Sequence, residues 1–291
     1  MLNLHALRVF TALAEARSFS RAAEGLFISQ PAVSKAIREL EEQLGLTLVD
    51  RSARPIALTA AGVVLLSHAR RIFASERAAV QALADLRDLE AGSLTIGASS
   101  TVGIYLLPPL IAAFHRRYPG VRLTLDIGNT QQVVEHLHAS PLDIAFVEGP
   151  VDDAEVVITP WREDELLVIA PPEHPLVGAE AVPLARLLEE PLVLREPGSG
   201  TREVIEIALR ERDLAPRVVL EIGSTEAIKR AVAAGLGLAI VSAATVGAEL
   251  RSGQLASVRA PELVLRRQLS WLSVVGRPQS PALAAFLELA A

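Results

Sequence analysis

From Thr59 to about Leu89 the chain carries one long helical pattern. Small or apolar residues at Gly62, Leu65, Ala69, Ile72, Ala79, Leu83 and Leu86 recur at spacings of three and four, interrupted by Glu76. About thirty residues at the α-helical rise make a rod of roughly 45 Å. A self-contained domain has little need of so long a helix, and its apolar stripe has to be covered. The same helix of a second subunit covers it most simply, which makes Leu65, Ala69, Ile72, Ala79, Leu83 and Leu86 candidate dimerisation residues. Packing against its own domain is the alternative. The rod divides the chain into a head (1–58), a linker (59–90) and a body (91–291).

The head reads as helices followed by a short hairpin. Leu4, Leu7, Val9, Phe10, Leu13 and Ala14 form a helical stripe, and Ser18 or Ser20 can cap a second short helix from Arg21 to Phe27. Pro31 suits the first turn of a third helix running to about Leu44, which Gly45 ends. Leu46–Leu58 then alternates loosely, with Pro55 near the tip of two short strands. Placed at 100° steps, Val33, Ile37, Leu40 and Leu44 make one core-facing stripe of the third helix. Pro31, Ser34, Lys35 and Arg38 gather on the far side, with Gln30 at the N-terminal edge. Hydroxyl, ammonium and guanidinium groups on one face are what contact with phosphates and base edges in a major groove requires. The arrangement reads as a helix-turn-helix; an ordinary helical hairpin with a polar outer face gives the same pattern. Charge is compatible with DNA, since residues 1–71 hold 9 basic and 6 acidic side chains, whereas residues 91–291 hold 17 and 24.

The body changes texture. Nine apolar strand candidates, Leu94–Ala98, Val121–Ile127, Ile144–Val147, Val156–Ile158, Leu166–Ala170, Leu192–Leu194, Val218–Ile222, Leu238–Val241 and Leu269–Val275, have helical stretches between many of them. Such alternation implies mainly parallel sheets with helices on both faces, as one large sheet or two smaller lobes. No segment approaches the roughly 20 apolar residues of a membrane span. The chain has no cysteine, which excludes disulfides, cysteine–zinc sites and thiol catalysis. Its first residues lack a secretory pattern, so a soluble cytoplasmic protein is expected. The six histidines are scattered, and no nucleophile elbow, dinucleotide fingerprint or metal-protease motif appears. Neither an enzyme, a metal site nor a cofactor is expected.

The head resembles the LysR-type transcriptional regulators. The residues that carry the likeness are Phe19–Ser20, Ala22–Ala23, Leu26, Ser29–Gln30–Pro31–Ala32–Val33–Ser34, Ile37, Leu40–Glu41, Leu44–Gly45, Leu48, Arg51 and Leu58–Thr59 followed by Gly62. They cover about 60 residues with nearly ungapped spacing. Val49 departs from the family, which usually has phenylalanine there; the smaller side chain loosens packing of the wing. The resemblance implies an α/β protein with an N-terminal winged helix-turn-helix, a linker helix and a two-lobed effector domain like periplasmic binding proteins. Lobe 1 would take about 91–161 and 267–291 and lobe 2 about 162–266. It places Gln30, Pro31, Ser34, Lys35 and Arg38 at double-stranded DNA, with Arg51 and Arg54 in or near the wing, and Thr59 as a helix cap. An internal ion pair is the alternative role for Arg51. It further implies a homodimer assembling to a homotetramer that bends DNA and contacts RNA polymerase.

Four strand-to-helix junctions of the body are rich in hydroxyls: Ser99–Ser100–Thr101, Asn129–Thr130, Ser199–Gly200–Thr201 and Ser224–Thr225. Ligands of open α/β sheets bind beyond the carboxyl ends of the strands, where helix N-termini suit an anion. Plain helix capping is the alternative for each hydroxyl. Gly198–Ser199–Gly200–Thr201–Arg202 is the strongest candidate, because its glycines allow close approach and Arg202 adds a cation. Tyr105–Pro108, Gly128–Thr130, Val147–Pro150 and Arg195–Arg202 resemble one branch of the family, which includes regulators of sulfite reductase, sulfur assimilation and Calvin-cycle operons. That likeness implies a small anionic effector, a sulfur oxyanion or a phosphorylated compound. A carboxylate at Glu148 would repel such an anion unless it is protonated or paired with a cation such as Arg202, or it would bond to a ligand amine or hydroxyl.

Overall fold

A computed structural model describes residues 2–53, 55–85, 92–139, 142–263 and 265–291. The chain forms two compact units that meet at Ala79–Val80, and each is described on its own.

The first unit contains α1 (Leu4–Ala16), α2 (Phe19–Leu26), α3 (Gln30–Leu44), the two-residue strands β1 (Val49–Asp50) and β2 (Ala57–Leu58), and the start of α4 (Ala60–Asp85). Short polar side chains set the starts: Asn3, Ser18 and Ser29 accept first-turn amides of α1, α2 and α3. Pro31 sits in the first turn of α3, and Gly45 ends that helix in the left-handed region at φ 68°. β1 and β2 pair antiparallel, Val49 opposite Leu58. Leu7, Phe10, Leu13, Val33, Ile37, Leu40, Leu48 and Val49 make the core.

The first half of α4 packs into the head. Ala69 is wholly buried and Phe73 nearly so within this core, with Leu65 and Ile72 packed against it. Arg8 lies over the Phe73 ring and reaches Glu76 at 2.7 Å. Ala69 therefore faces its own head, not a partner, and Leu65 and Ile72 lie largely on that side. The head is a short three-helix unit whose core is closed only when α4 lies across it, so burial draws the helix in up to about Phe73. Ala79 is exposed, as are Val63, Val64 and Val80. The side chain of Leu83, the whole of Leu86, and Arg54 in the wing lie outside the described residues.

The second unit has β3 (Gly92–Ser99), a π-helical turn (Val102–Leu106), α5 (Leu107–Arg117), β4 (Val121–Gly128), α6 (Thr130–Ala139), β5 (Ile144–Glu148) and β6 (Val156–Ala170). Then come α7 (Leu184–Leu188), β7 (Leu192–Arg195), α8 (Gly200–Arg210), β8 (Val218–Ile222), α9 (Thr225–Ala233), β9 (Leu238–Ser242), α10 (Ala243–Ser252), β10 (Ala256–Val258), β11 (Leu265–Val274) and α11 (Pro281–Ala290). The strands join in the order β4-β3-β5-β11-β6-β9-β7-β8, with β10 on β6. β4, β3 and β5 run parallel, as do β9, β7 and β8, while β6 and β11 cross the middle antiparallel.

Two expected strands, 156–158 and 166–170, are thus one fifteen-residue strand, and β10 was not expected. Residues 162–165 are four charged side chains in succession, Arg-Glu-Asp-Glu, which hides a strand from any reading that looks for apolar runs. Antiparallel pairing with β11 carries it through, Arg266 opposite Glu165 and Gln268 opposite Glu163. This ribbon joins two lobes with separate cores. Leu94, Ile96, Phe114, Phe146 and Phe286 fill one face of lobe 1, and Val133, Leu137, Ala145 and Leu272 the other. Lobe 2 has the same two-faced construction around Leu192, Leu194, Leu209 and Leu238, and around Val193, Ile228, Val232 and Val241. No described helix is long and apolar enough to cross a membrane.

Candidate functional site

In the head, burial of Val33, Ile37 and Leu40 orients α3. Gln30, Pro31, Lys35 and Arg38 are left exposed on its other side, with Ser34 half-buried at the margin. The stripe ends sooner than its periodicity implies, because Leu44 in the last turn is 37% exposed. Lys35 Nζ lies 3.7 Å from Glu39 Oε1, with both side chains open to solvent. An exposed pair of this kind is worth only tenths of a kcal/mol, too little to withhold the ammonium from a phosphate.

At Arg51 the internal ion pair named as the alternative forms: Nη2 donates to Glu41 Oε2 at 2.9 Å while the guanidinium stands over the Phe19 ring. The other oxygen of Glu41 accepts the amides of Leu48 and Val49. The Glu41 carboxylate thus ties the end of α3 to β1, and Arg51 completes that tie inside the head instead of reaching outward. Thr59 is a cap: its Oγ1 accepts from the Gly62 amide and donates to the Thr47 carbonyl. Val49 is buried and lines a cavity of about 360 Å³ with Leu13, Pro55, Leu58 and Leu66.

In the second unit the carboxyl ends of strands from both lobes meet. Glu148, the last residue of β5, is 1% exposed. Its carboxylate accepts hydrogen bonds from Ser99, from Thr101 and, at 3.4 Å, from Thr201. Thr130 Oγ1 donates to the Glu148 carbonyl and accepts from the Gly200 amide, bonding lobe 1 to the first turn of α8 in lobe 2. Backbones touch here. A Cβ on Gly200 would lie 1.8 Å from the Glu148 carbonyl oxygen, and one on Gly149, at φ +85°, would lie 2.9 Å from Gly200 Cα. Only glycine admits this approach.

Two further bonds cross between the lobes: Asn129 Nδ2 donates to Glu196 Oε1, and the Gln131 amide to the Gly198 carbonyl. Tyr105 of the π-helical turn donates to Glu226 of α9. Ser100 is half-buried and donates to the Gly128 carbonyl, outside the Glu148 cluster.

Ser199 departs from every other serine at an N-cap among the described residues. Ser18, Ser29, Ser224, Ser242 and Ser280 each accept an amide of their own helix. Ser199 is 2% exposed, makes no capping bond, and its Oγ has no hydrogen-bond partner. A buried hydroxyl without a partner costs stability and calls for an explanation that helix capping does not supply. Plain capping is therefore excluded for the one junction where the sequence pointed most strongly to a ligand.

The expected cation, Arg202, is already paired with two carboxylates. Arg202 donates to Glu206 at 2.6 Å, to Glu221 at 2.7 Å and to the Arg195 carbonyl at 3.0 Å. Arg267 and Arg195 take its place. Arg267, from β11, donates to Asp164 Oδ2 at 2.8 Å and to Thr201 Oγ1 at 2.8 Å, and Asp164 also accepts from Ser242. Arg195, at the end of β7, bonds Glu196 through two nitrogens and Thr225 Oγ1 through a third. Burial raises the Glu148 carboxyl above the ordinary carboxylate range, opposed by the positive charges of Arg267 and Arg195. Glu196 is driven upward by burial but held lower on balance by its bonds to Arg195. Arg267, Arg195 and Asp164 were not identified from sequence. Each lies inside or at the end of a strand segment, and a charged residue flanked by strand residues reads as a solvent-facing position until the ribbon is seen to run through the interior.

Comparison with known proteins covers both regions of the chain. Residues 4–63 match the bacterial regulatory helix-turn-helix protein, lysR family, and residues 87–291 match the LysR substrate binding domain. A RuBisCO operon transcriptional regulator of Allochromatium vinosum is 40% identical over 287 residues, which cover 99% of this chain and 95% of that one. The HTH-type transcriptional regulator CysL of Bacillus subtilis is 36% identical over 267 residues, 91% of this chain and 89% of that one. Among solved structures, full-length CbnR complexed with its target DNA aligns at a TM-score of 0.66 and 26% identity over 99% of this chain and 98% of that one. The CcmR regulatory domain of Synechocystis in complex with 2-PG aligns at 0.64 and 29% over 68% and 95%. A winged head with one exposed polar helix face, followed by a two-lobed α/β body, belongs on all these grounds to the LysR family of transcriptional regulators.

Proposed function

We propose that this chain is a non-catalytic regulator that binds double-stranded DNA in the cytoplasm and whose grip on its promoter is set by a small oxyanion held between the lobes. Gln30, Pro31, Ser34, Lys35 and Arg38 enter the major groove, Arg54 supports them from the wing, and Arg51 acts from within the head. Two heads address two half-sites because the rods pair beyond the part of α4 that covers the head, through Ala79, Leu83 and Leu86. Effector domains then associate into a tetramer, and the occupied cleft favours one tetramer shape and hence one DNA bend and one contact with RNA polymerase. A ligand achieves this only by binding the two shapes unequally.

The observation that carries the effector part is the unpartnered, buried Ser199 hydroxyl at the N-terminus of α8. Around it Ser99, Thr101, Thr130, Thr201 and the Gly200 backbone converge, with Asn129 and Thr225 at the margin. First-turn amides, hydroxyls and nearby guanidiniums are what an oxyanion binds. The similarity to a regulatory domain solved with 2-PG (2-phosphoglycolate) supports a phosphorylated anion as the first candidate. The test is a nuclease footprint on the region upstream of the chain's own gene, with and without 2-phosphoglycolate. A protected region whose length or internal cleavage changes with the anion is expected. No protection would refute the DNA reading, and protection indifferent to 2-phosphoglycolate, inorganic phosphate and sulfate alike would refute the effector reading.

A further inference from the structure

The cleft that suits an oxyanion is not electropositive. Glu148, Asp164 and Glu196 stand against Arg267 and Arg195, so with all five ionised the cluster is one charge negative before any ligand arrives. A doubly charged anion would add to that excess inside a buried site, and the carboxyl that gives way as it enters is the one most buried and least directly paired. Asp164 is hydrogen-bonded by Nε of Arg267 and ion-paired with its guanidinium, and Glu196 is bonded by two nitrogens of Arg195. Glu148 receives only hydroxyls on its carboxylate.

The groups around Glu148 can be named element by element. β3 gives Ser99, the start of the π-helical turn gives Thr101, α8 gives Thr201, β11 gives Arg267 behind Thr201, β6 gives Asp164 and β7 gives Arg195. The titratable side chains of α6 and α8 that make bonds are engaged elsewhere: Glu135 with Gln131, His136 with Asp126, His138 with Asp153, and Arg202 and Glu206 with one another. Hydroxyls rotate, so Ser99, Thr101 and Thr201 bond equally well to a carboxylate as acceptor or to a protonated carboxyl as donor. The Glu148 site therefore tolerates either protonation state without rearrangement of its neighbours.

We propose, resting on the reading of the cleft as an oxyanion site, that binding a doubly charged effector takes up one proton, which is then held between the effector and Glu148. With a ligand that brings no proton, such as sulfate, the proton resides on Glu148 and the carboxyl donates to a ligand oxygen. With a phosphate monoester it lies on either partner, one donating to the other. In both cases one proton leaves the solvent, no other atom is exchanged, and the cleft avoids a carboxylate facing an anion across an interior of low dielectric. Burial already biases the Glu148 carboxyl toward its protonated form. The regulator would then respond to acidity and effector jointly, binding the same anion more tightly as pH falls.

Calorimetric titration of the full-length chain with sodium sulfate tests this, because sulfate has no proton of its own to exchange at pH 6–8. Titrations in buffers of different ionisation heat are expected to show uptake of nearly one proton per anion at pH 8, and affinity falling about tenfold per pH unit on the alkaline side. Glu148→Gln, which keeps shape and supplies a neutral donor, is expected to bind sulfate with no proton uptake and a flat pH profile. Should the variant fail to fold, uptake by the wild-type chain still decides. Wild-type binding without proton uptake overturns the proposal but leaves the oxyanion site standing, and an unchanged pH slope in Glu148→Gln does the same. No binding of sulfate, phosphate or 2-phosphoglycolate by the wild-type chain, across that pH range, overturns both.

Discussion

Replacing Arg267 by methionine tests the internal electrostatics of the body most directly. The guanidinium side chain is 2% exposed and its partner Asp164 6%. It donates to that carboxylate through Nε at 2.8 Å, lies within ion-pair distance of it through Nη2 at 2.7 Å, and bonds Thr201 Oγ1 through Nη1. Removing one member of a buried pair leaves the other uncompensated and costs about 3–5 kcal/mol. For a unit of this size that lowers the unfolding midpoint by roughly 10 °C. Trp161 and Trp271 are the only tryptophans and both lie on the β6–β11 ribbon. Urea unfolding followed by tryptophan fluorescence therefore reads this unit without interference from the head.

The loss should also depend on pH with a definite sign. Arg267 opposes the upward push that burial exerts on Glu148. Without it the folded-state affinity of Glu148 for a proton rises further above its unfolded value, so the folded variant binds protons that the unfolded chain does not. Its stability then increases as pH falls, and the gap to wild type narrows between pH 7.5 and 5. Pairing the change with Asp164→Leu, which removes the stranded partner, should recover most of the loss. A cost below about 1 kcal/mol at pH 7.5, or one that does not narrow at pH 5, would refute the claim that the pair is buried and electrostatically coupled to Glu148.

Three further outcomes follow from individual sites. Ser199→Ala should leave the ligand-free stability within about 0.5 kcal/mol, since no bond is lost, yet weaken sulfate binding at least tenfold by calorimetry; a larger stability cost would mean that the hydroxyl serves the helix. Val49→Phe should stabilise the head by about 1 kcal/mol in scanning calorimetry by filling the cavity beside it, and a lower head transition would show that the space cannot accept the ring. Lys35→Ala and Arg38→Ala should each reduce the dependence of promoter affinity on salt by about one unit of log–log slope, while Arg51→Ala, already paired with Glu41, should leave that slope unchanged. Gel-shift titrations at several salt concentrations measure all three, and full affinity of the Lys35 and Arg38 variants at physiological salt would remove α3 from the groove.

Much of this molecule was legible in local pattern. Apolar spacing placed α3 and the strands of both lobes, serines and Pro31 marked helix starts, and the hydroxyl-rich junctions named most of the cleft before its geometry was known. These are features of neighbouring residues, and a helix face or a strand end follows from a few positions of spacing. The hydroxyls were found because a loop that opens onto a helix N-terminus has a composition of its own.

Tertiary contact decided the rest, and mainly through charge and through which surface an apolar stripe meets. Nothing near Arg202 in the chain says that Glu221, nineteen residues on, will bind it, or that Arg267, from a strand returning to lobe 1, will stand behind Thr201 in its stead. Ala69 has the same local setting whether it faces a partner or its own head; only the burial of Ala69 and Phe73 in the head's core separates the two. A run of residues specifies what its own backbone can do, because those forces act over one turn or one pleat. The partner of a buried charge, and the wall against which a stripe is laid, come from segments a hundred residues away, and they exist only once the chain has closed.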